Sequence, residues 1–326
     1  MHEITNYNNH NILRYTTAHT MGIKGLKKLI ADNAPGAIKI IPVEDLAGWI
    51  IGIDASIGVY ELYHAGVKHN ILGSTGSQIN HIQGTFHRIV KLLSHNIIPV
   101  FVFDGKPPEI KDHVIATRRE LKTNGRAVKV PQSAFTEVMR LLQLMKIQYV
   151  QAPSEAEAQA ATMCAAGQLH AVSTADTDSI TFGAVHQLIG LDGQAKKVTA
   201  ITREHVLKGL GLNNAQFIDL CILLGSDYTK CTLPGIGPKR ALALIKKHGS
   251  IESIIAAESI PVPEGFTYRE ARAEFIRPNV VQVDAARGSL PVYTAEEIIA
   301  IDGFLLNSGL TQTRYKKGLD LLAGLK

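Results

Sequence analysis

Between residues 49 and 174, short apolar runs alternate with segments whose apolar residues recur at helical spacing. The short runs suit buried parallel strands, and the predicted strands are 49–54, 97–103, 147–150 and 170–174. The segments between them predict helices over 79–96, 133–146 and 154–166, the last with Ser154 as its N-cap. This β-α-β-α-β order predicts a three-layer α/β core with a mostly parallel sheet.

The two ends of the chain have a different texture. Residues 1–20 are polar, rich in Asn and Thr, and lack the apolar segment of a secretory signal, so we predict a disordered extension there. From about Asn213 onward the pattern becomes helical and is punctuated by glycines. The chain therefore combines an α/β unit with a mostly helical region that follows it.

Seven carboxylates lie where an apolar run ends or a helix is about to begin. They are Asp54, Asp104, Glu155, Glu157, Asp176, Asp178 and Asp227. Because the carboxyl ends of parallel strands meet at one edge of a sheet, these acids predict a strongly negative crevice. Crowded carboxylates cannot all stay ionised without a counter-charge, and hard divalent cations are the usual one. The pattern predicts metal-dependent chemistry on an anionic substrate.

Each acid also has a purely structural interpretation. Asp54 or Asp104 alone would equally well cap the helix that follows its strand. Glu155 and Glu157 would complement the dipole of the helix they open, and their i, i+2 spacing puts them on different sides of a regular helix. Seven acids in such positions are difficult to explain as caps, which favours the metal site, but for any single residue both interpretations stay open.

Composition narrows the class of partner. The 326-residue chain has a formal charge of +5 despite its acidic crevice, so positive charge must lie elsewhere, which suits a partner with a phosphate backbone. No apolar run approaches the roughly 18 residues of a membrane span, so we expect a soluble protein without a membrane partner. The three cysteines have no zinc or CxxC spacing, which favours a reducing, intracellular location.

A turn in the segment LPGIGPKRALALIKKHGS predicts where part of that positive charge lies. Gly235 and Gly237 allow a tight turn with outward-facing amides, and Pro238 begins a helix with Lys239 and Arg240 in its first turn. Free amides, a helix dipole and two cations make a good grip for a phosphate backbone. An ordinary connection between two helices is the alternative.

Together these segments resemble the flap endonucleases, which are structure-specific 5′-nucleases of the XPG-like superfamily. The motifs that carry the resemblance run in order from Met21 to about Ile255, and they are MGIKGLKKLIADNAP, IDAS with Tyr60 six residues beyond Asp54, VFDGKPPEIK, APSEAEA, TADTDSITFG, DLCILLGSDY and GIGPKRA. The resemblance implies a PIN-like core with a helical arch and a helix-hairpin-helix region. It also implies cleavage of DNA near 5′ flaps in replication and repair, with two Mg²⁺ ions per site that Mn²⁺ can replace.

The resemblance further implies domains and a role for each matching residue. The domains are an extension over 1–20, nuclease regions over 21–125 and 126–255, and a C-terminal helical region over 256–326. Asp54, Asp104, Glu155 and Glu157 match one metal cluster, and Asp176, Asp178 and Asp227 match the other. Lys111 and Arg118 match the basic pair at the base of the arch, which contacts the scissile phosphate, and Tyr60 matches an aromatic on which a base stacks. The matched DNA contacts are Gly22, Lys68, Arg88, Gly225, Gly235, Gly237, Lys239 and Arg240.

The two ends of the chain depart from the family pattern. Twenty residues precede the Met21-Gly22 pair at which the family normally begins, so we expect either translation from Met21 or a tail that emerges beside the active site. The sequence stops at YKKGLDLLAGLK without a QxxLxxFF-like segment or a basic tail. We therefore expect the usual sliding-clamp tether to be absent. We also expect a monomer, which acts in the nucleus if the protein is cellular and otherwise at the site of viral DNA replication.

The segment of the arch is also shorter than in the family, since only 37 positions separate Arg118 from Glu155 (155 − 118), and Asn124-Gly125 lies where the arch would continue. A shortened arch should enforce a free 5′ end less strictly. We expect that blocking the 5′ terminus of a flap with streptavidin reduces the cleavage rate only modestly, and complete loss of cleavage would contradict this.

Other functions remain open at this point. Within the superfamily, a 5′-exonuclease or a junction resolvase would carry the same motifs. A non-catalytic protein that binds DNA junctions would not need all seven acids, and a Mg²⁺-dependent phosphatase for small substrates would not need GIGPKRA or the basic element after FDGKPP.

Overall fold

The computed structural model describes residues 22–114, 129–191, 196–284 and 288–325. Its strands are β1 (Ile38–Pro42), β2 (Ile50–Asp54), β3 (Ile98–Phe103), β4 (Tyr149–Gln151), β5 (Ala171–Ser173), β6 (His186–Ile189) and β7 (Lys197–Thr202). Its α-helices are α1 (Leu26–Asn33), α2 (Ala55–Lys68), α3 (Asn80–Ser94), α4 (Gln132–Leu144), α5 (Ala156–Ala165), α6 (Asp178–Thr181), α7 (Arg203–Leu210), α8 (Asn214–Leu224), α9 (Pro238–His248), α10 (Ile251–Glu258), α11 (Tyr268–Ile276), α12 (Ala295–Asn307) and α13 (Gln312–Ala323). Short 3₁₀ turns lie at Pro35–Ala37, Val43–Leu46 and Glu109–Lys111.

The strands form one seven-stranded sheet in the order β1-β7-β6-β5-β2-β3-β4. Strands β4, β3, β2, β5 and β6 run parallel, and β7 and β1 add an antiparallel edge. The predicted, mostly parallel sheet is confirmed, and its four predicted strands are β2, β3, β4 and β5. The parallel register aligns the carboxyl ends of β2, β3 and β5, so the residues that follow them share one edge of the sheet.

Helices cover both faces of the sheet and give the predicted three layers. Along β3, Val100 and Val102 face one core, while Phe101 and Phe103 face the other. Helices α1, α5 and α7 to α11 pack on the first face, and α2, α3, α4, α12 and α13 pack on the second. Because both faces are buried, β3 is apolar along its whole length. No helix of the described residues is long and apolar enough to cross a membrane.

The predicted helices are present, but Ser154 is not the N-cap of α5. The helix begins at Ala156 and Glu155 is its N-cap residue, without a side-chain capping hydrogen bond. The chain before it is tied to the loop after β3, because the Gly105 and Lys106 amides donate to the Ser154 and Pro153 carbonyls. These bonds hold residues 153 and 154 in the loop, so the helix starts later and leaves Glu155 outside its first turn.

The helical region begins directly after β7 with α7 at Arg203, earlier than the predicted start near Asn213. Asn213 caps α8 through a capping box with Gln216. The last two helices return to the α/β core, where α13 packs on α3 and α12 packs on α4. The C-terminal residues therefore stabilise the face of the sheet formed by the first part of the chain.

An ion network around the buried carboxylate of Asp219 joins three helices of this region. Arg272 of α11 makes two hydrogen bonds to Asp219 of α8, at 2.6 and 2.9 Å, and two to Glu252 of α10, both at 2.9 Å. The Asp219 carboxylate also accepts from the Ile251 amide at the start of α10. The Asp219 side chain is only 4% exposed, so its charge depends on the guanidinium of Arg272.

We expect Arg272→Ala to lower the free energy of unfolding by about 3–5 kcal/mol, because it leaves the buried Asp219 carboxylate without its cation. Thermal or urea unfolding would measure this change. Arg269→Ala is the matched control, since Arg269 is exposed and lies over the Tyr268 ring at 5.0 Å, and it should cost less than about 1 kcal/mol. Equal losses for the two variants would contradict a special role for the network.

Candidate active site

The predicted acids meet at the carboxyl edge of the sheet. Asp54 ends β2, Asp104 follows β3 and Asp176 follows β5. The others come from helix ends that point to the same edge: Glu155 and Glu157 at the start of α5, Asp178 at the start of α6, and Asp227 after α8. The crevice predicted from the sequence is thus built from three strands and three helix ends.

Two of the acids also act as helix caps, so the structural interpretation applies to them as well. Asp54 accepts a hydrogen bond from the Ile57 amide at 2.8 Å and caps α2. Asp104 accepts from the Ala156 amide at 2.8 Å, at the start of α5 in a different part of the chain. Each of these hydrogen bonds uses only Oδ1 of its carboxylate. Capping and metal binding are therefore compatible in the same residue.

Three carboxylates come close enough to share one cation. Glu157, Asp176 and Asp178 each offer an oxygen within 4.8 Å of the others. The Asp178 amide donates to the Asp176 carboxylate at 2.9 Å and orients it. The side-chain amide of Gln187 donates to the backbone carbonyls of Thr174 and Asp176. Neither carboxylate oxygen of Asp178 has a hydrogen-bond partner among the described residues, although both are buried. Buried, unpartnered carboxylate oxygens beside two further acids fit a hard divalent cation.

Crowding changes the ionisation of these acids. Burial, together with the neighbouring carboxylate of Asp104, raises the pKa of Asp54 to about 8. Burial and the charges of their acidic neighbours raise the pKa values of Glu157 and Asp178 well above the usual range of carboxylic acids. These shifts have the direction expected for acids that lack sufficient positive charge around them. A bound cation would supply it.

Lys111 supplies part of that charge from within the crevice. Its side chain is 9% exposed, and its ammonium lies 2.5 Å from Glu155 and 3.9 Å from Asp227. Burial alone would lower the pKa of Lys111, but the carboxylates of Glu155, Asp178 and Asp227 raise it above the usual value. Lys111 is therefore a buried cation among the acids of the crevice, and not a solvated charge on a helix surface.

Tyr228 is a residue of the site that sequence reasoning missed. Its side chain is fully buried, its hydroxyl donates to Glu155, and its ring lies 4.4 Å from the Lys111 ammonium. Burial and the charge of Glu155 raise the pKa of Tyr228 well above its usual value, so its hydroxyl stays protonated. Its position directly after Asp227 in the GSDY motif is the only sequence signal that could have identified it.

The matched DNA-contact residues are spread around the crevice. Tyr60 is 45% exposed on α2 beside Phe135, and Lys68 is exposed at the end of the same helix. Arg88 is half-buried and donates to the Leu191 carbonyl, and its charge lowers the pKa of Asp54, so it lies beneath the crevice. Gly225 is buried, and its carbonyl accepts from the Lys24 amide near the start of the described chain. The side chains of Tyr60 and Lys68 are therefore exposed, whereas the Arg88 side chain and the Gly225 carbonyl make hydrogen bonds within the protein.

The turn in GIGPKRA has the conformation that its glycines predict. Gly235 adopts a φ of 69°, Gly237 is the N-cap residue of α9, and Pro238 is the first residue of the helix. Lys239 and Arg240 are exposed in the first turn, and Arg240 donates to the Gly235 carbonyl at 3.1 Å. Helices α8 and α9 pack against each other across this turn. The arrangement presents cations at a helix N-terminus, as a phosphate grip requires.

Gly22 lies directly against the crevice. It has a φ of 81°, and a Cβ atom at this position would lie 2.0 Å from an Asp176 carboxylate oxygen. The chain therefore enters the described structure beside the acids. Only glycine allows both this backbone conformation and this close approach.

We expect Gly22→Ala to reduce the single-turnover cleavage rate about 10- to 100-fold, because the methyl group must displace Asp176. Gly48→Ala is the matched control. Gly48 has the same φ of 81°, but a Cβ there meets nothing within 4 Å, and it precedes β2 at the opposite edge of the sheet. The control should lose about 1–2 kcal/mol of stability through backbone strain without loss of cleavage rate. Equal cleavage rates for the two variants would contradict a role of the close contact between Gly22 and Asp176 in catalysis.

Arg118 and the segment predicted to form the shortened arch lie within 115–128, outside the described residues, as does the predicted extension over 1–20. Their roles stay predictions.

Comparison with known protein families is consistent with the geometry of the site. The XPG N-terminal domain matches residues 21–125, and the XPG I-region matches residues 146–227. These two ranges contain all seven carboxylates, and they also contain Tyr60 and Lys111.

Curated relatives are similar over most of the chain. Flap endonuclease 1-B of Xenopus laevis is 41% identical over 294 residues, which cover 81% of this chain and 76% of the relative. Flap endonuclease 1 of Macaca fascicularis is 38% identical over 309 residues, with 86% and 81% covered. Among solved structures, the catalytic core of Rad2 in complex with a DNA substrate has a TM-score of 0.73 and 26% identity, with 92% of this chain and all of that chain covered. Flap endonuclease-1 from Methanococcus jannaschii has a TM-score of 0.70 and 27% identity, with 90% and 97% covered.

Proposed function

The chain belongs to the flap endonucleases of the XPG family, and we propose that the acidic crevice is where it hydrolyses DNA phosphodiester bonds near single/double-strand junctions. Structure-specific flap cleavage in DNA replication and repair is the function of this family. One observation carries the assignment of the site: carboxylates from three strands and three helix ends share one edge of the sheet with the buried Lys111, and the buried oxygens of Asp178 have no hydrogen-bond partner among the described residues. This arrangement suits a cation-dependent reaction on a phosphate.

We propose Mg²⁺ as the natural cofactor, with two ions per site and with Mn²⁺ able to substitute. The ligand set is made only of carboxylate oxygens, which hard cations prefer and which suit neither copper nor structural zinc. Part of the ligand set would be Glu157, Asp176 and Asp178. The rest would be Asp54, Asp104, Glu155 and Asp227. When bound, such ions activate a water molecule and stabilise the leaving oxygen of a phosphodiester.

The chain's own cations act on the same phosphate. Lys111 is held in the crevice by Glu155 and would neutralise charge that develops on the phosphoryl oxygens. Arg118 is proposed to act beside it. Because the ammonium of Lys111 is already desolvated and fixed by its neighbours, little reorganisation would be needed when the substrate arrives.

Residues around the crevice would position the DNA. We propose that the exposed ring of Tyr60 stacks on a base next to the scissile bond, which does not depend on sequence and is worth about 1–3 kcal/mol per base. The turn formed by Gly235, Gly237, Lys239 and Arg240 would bind the backbone of the duplex, with Lys68 as a further contact. The acids would repel a phosphate backbone, so the duplex is held by these cations, and one phosphate is drawn into the crevice.

Matched substrates test the proposal. Wild-type protein with Mg²⁺ should cut a 5′-flap substrate near its junction, and EDTA should abolish the cut. Faster cleavage of a nick or a gap would instead favour a 5′-exonuclease, and preference for a four-way junction would favour a resolvase. Binding to flap DNA without any cleavage in Mg²⁺ or Mn²⁺ would identify a non-catalytic junction-binding protein.

We further propose that the protein acts as a monomer where DNA is replicated, which in a cell is the nucleus. All seven acids come from one chain, so the crevice needs no second copy to be complete.

A further inference from the structure

Tyr228 joins the two charged groups at the centre of the crevice. Its hydroxyl donates to Oε2 of Glu155, while Oε1 of the same carboxylate lies 2.5 Å from the Lys111 ammonium. The face of the Tyr228 ring lies 4.4 Å from that ammonium. The three side chains therefore form a closed triangle in which each one contacts the other two.

Packing alone does not account for a tyrosine at this position. The ring is buried against Phe275 at 4.9 Å and Phe182 at 6.0 Å, both edge-on, and a phenylalanine would fill the same space. The hydroxyl, in contrast, lies in the crevice on a carboxylate that has no capping bond to its own helix. A buried hydroxyl costs free energy unless it is bonded, and here its partner belongs to the reactive site.

We propose that Tyr228 is a positioning residue of the nuclease reaction, whose hydroxyl orients Glu155 and whose ring holds the Lys111 ammonium beside it. The inference rests on the flap-endonuclease function proposed above and assigns a specific part of it. Without the hydroxyl, Glu155 loses the donor that fixes its second oxygen. Without the ring, Lys111 loses the surface on which its charge is held.

A second contact joins the same two segments. His113 lies two residues beyond Lys111, and its ring nitrogens lie 2.9 Å from the Ile110 carbonyl and 3.2 Å from the Thr229 carbonyl. Thr229 follows Tyr228 directly. The turn that carries Lys111 thus approaches the loop that carries Asp227 and Tyr228 at two points, at Lys111 and at His113.

Two variants separate the roles of hydroxyl and ring. Tyr228→Phe keeps the ring, and Tyr228→Leu removes both. We expect Tyr228→Phe to lower the single-turnover cleavage rate about 10-fold and to weaken Mn²⁺ binding, measured by calorimetry without DNA, about 10- to 100-fold, as is usual when a partner of a metal ligand is lost. Tyr228→Leu should lose a further factor of about 10 in rate. The affinity for flap DNA in EDTA should not change.

Two controls exclude a purely structural effect. Phe275→Leu removes a neighbouring ring of the same cluster without touching Lys111 or Glu155, so it should lower the unfolding temperature and leave Mn²⁺ affinity unchanged. In a Lys111→Ala background, the difference in rate between Tyr228→Phe and Tyr228→Leu should disappear, because the ring then has no ammonium to hold.

The outcomes are distinguishable. A Tyr228→Phe variant with the rate and Mn²⁺ affinity of the wild type would overturn the inference and leave the proposed function intact. If Tyr228→Phe and Tyr228→Leu still differ in cleavage rate in the Lys111→Ala background, the Tyr228 ring acts only through packing, and its proposed role in holding Lys111 is wrong. A wild-type protein that cleaves no substrate would overturn both proposals.

Discussion

Replacement of Asp178 by asparagine should reduce flap cleavage by at least about 10³-fold while leaving the affinity for flap DNA in EDTA unchanged. Asparagine has the same shape but cannot supply the negative charge that a divalent cation needs. We choose Asp178 among the acids because both of its carboxylate oxygens are buried and have no hydrogen-bond partner in the described part of the chain. Single-turnover assays with saturating protein and Mg²⁺ would measure the loss.

The same substitution should stabilise the metal-free protein. Burial and the carboxylates of Asp176, Asp227 and Glu155 disfavour the charge of Asp178 more than Lys111 favours it, and a neutral side chain removes this net penalty. We expect an increase of about 1–3 kcal/mol in the free energy of unfolding, measured in EDTA, because the folded state no longer has to carry or neutralise a buried, repelled carboxylate. Lost activity with gained stability is the signature of a functional charge that is unfavourable for folding.

Asp45→Asn is the matched control for this experiment. Asp45 is an exposed carboxylate in the 3₁₀ turn before β2, at the opposite edge of the sheet from the crevice. Its replacement should change neither the cleavage rate nor the stability by a measurable amount. An Asp178→Asn protein that cleaves at a similar rate to the control would remove Asp178 from the metal site.

The sequence predicted the central part of the fold because the central strands are buried on both faces. Strands β2 and β3 are continuous apolar runs, and such runs are readable without any knowledge of their neighbours. Strands β1, β6 and β7 were not predicted. They lie at one side of the sheet, where β1 has the burial pattern of a half-exposed strand, β7 has only two fully buried residues and β6 is only four residues long, so their apolar signal is weak.

The site was predictable in its acids and not in its packing. Asp54, Asp104 and Asp176 were identified because each follows an apolar run, a feature local to the sequence. Lys111 alone suggests a solvated cation, and only the contact with Glu155, 44 residues away, makes it a buried one. The bond between Tyr228 and Glu155 spans 73 residues. No local pattern encodes such a contact, since it depends on how α5 and the loop after α8 meet at the sheet edge.

Lys111→Ala should lower the single-turnover cleavage rate about 10²–10³-fold, the usual cost of removing a group that stabilises charge on a reacting phosphate. Lys106→Ala is the matched control, because Lys106 is an exposed lysine in the same FDGKPP element and has no ion pair with the carboxylates of the crevice among the described contacts. At saturating protein concentration it should retain a rate within about 3-fold of the wild type.

The stability of Lys111→Ala provides the decisive comparison with Asp178→Asn. Removing the ammonium leaves Glu155 and Asp227 facing Asp178 without their buried cation, so the metal-free protein should lose about 3 kcal/mol, whereas Asp178→Asn should gain stability. Two variants of one crevice would then lose cleavage together while their unfolding temperatures move in opposite directions. If both were destabilised, damage to the fold would explain the lost activity. Opposite shifts would show that damage to the fold does not explain the lost cleavage, and that the two variants disturb the balance of charge in the crevice in opposite directions.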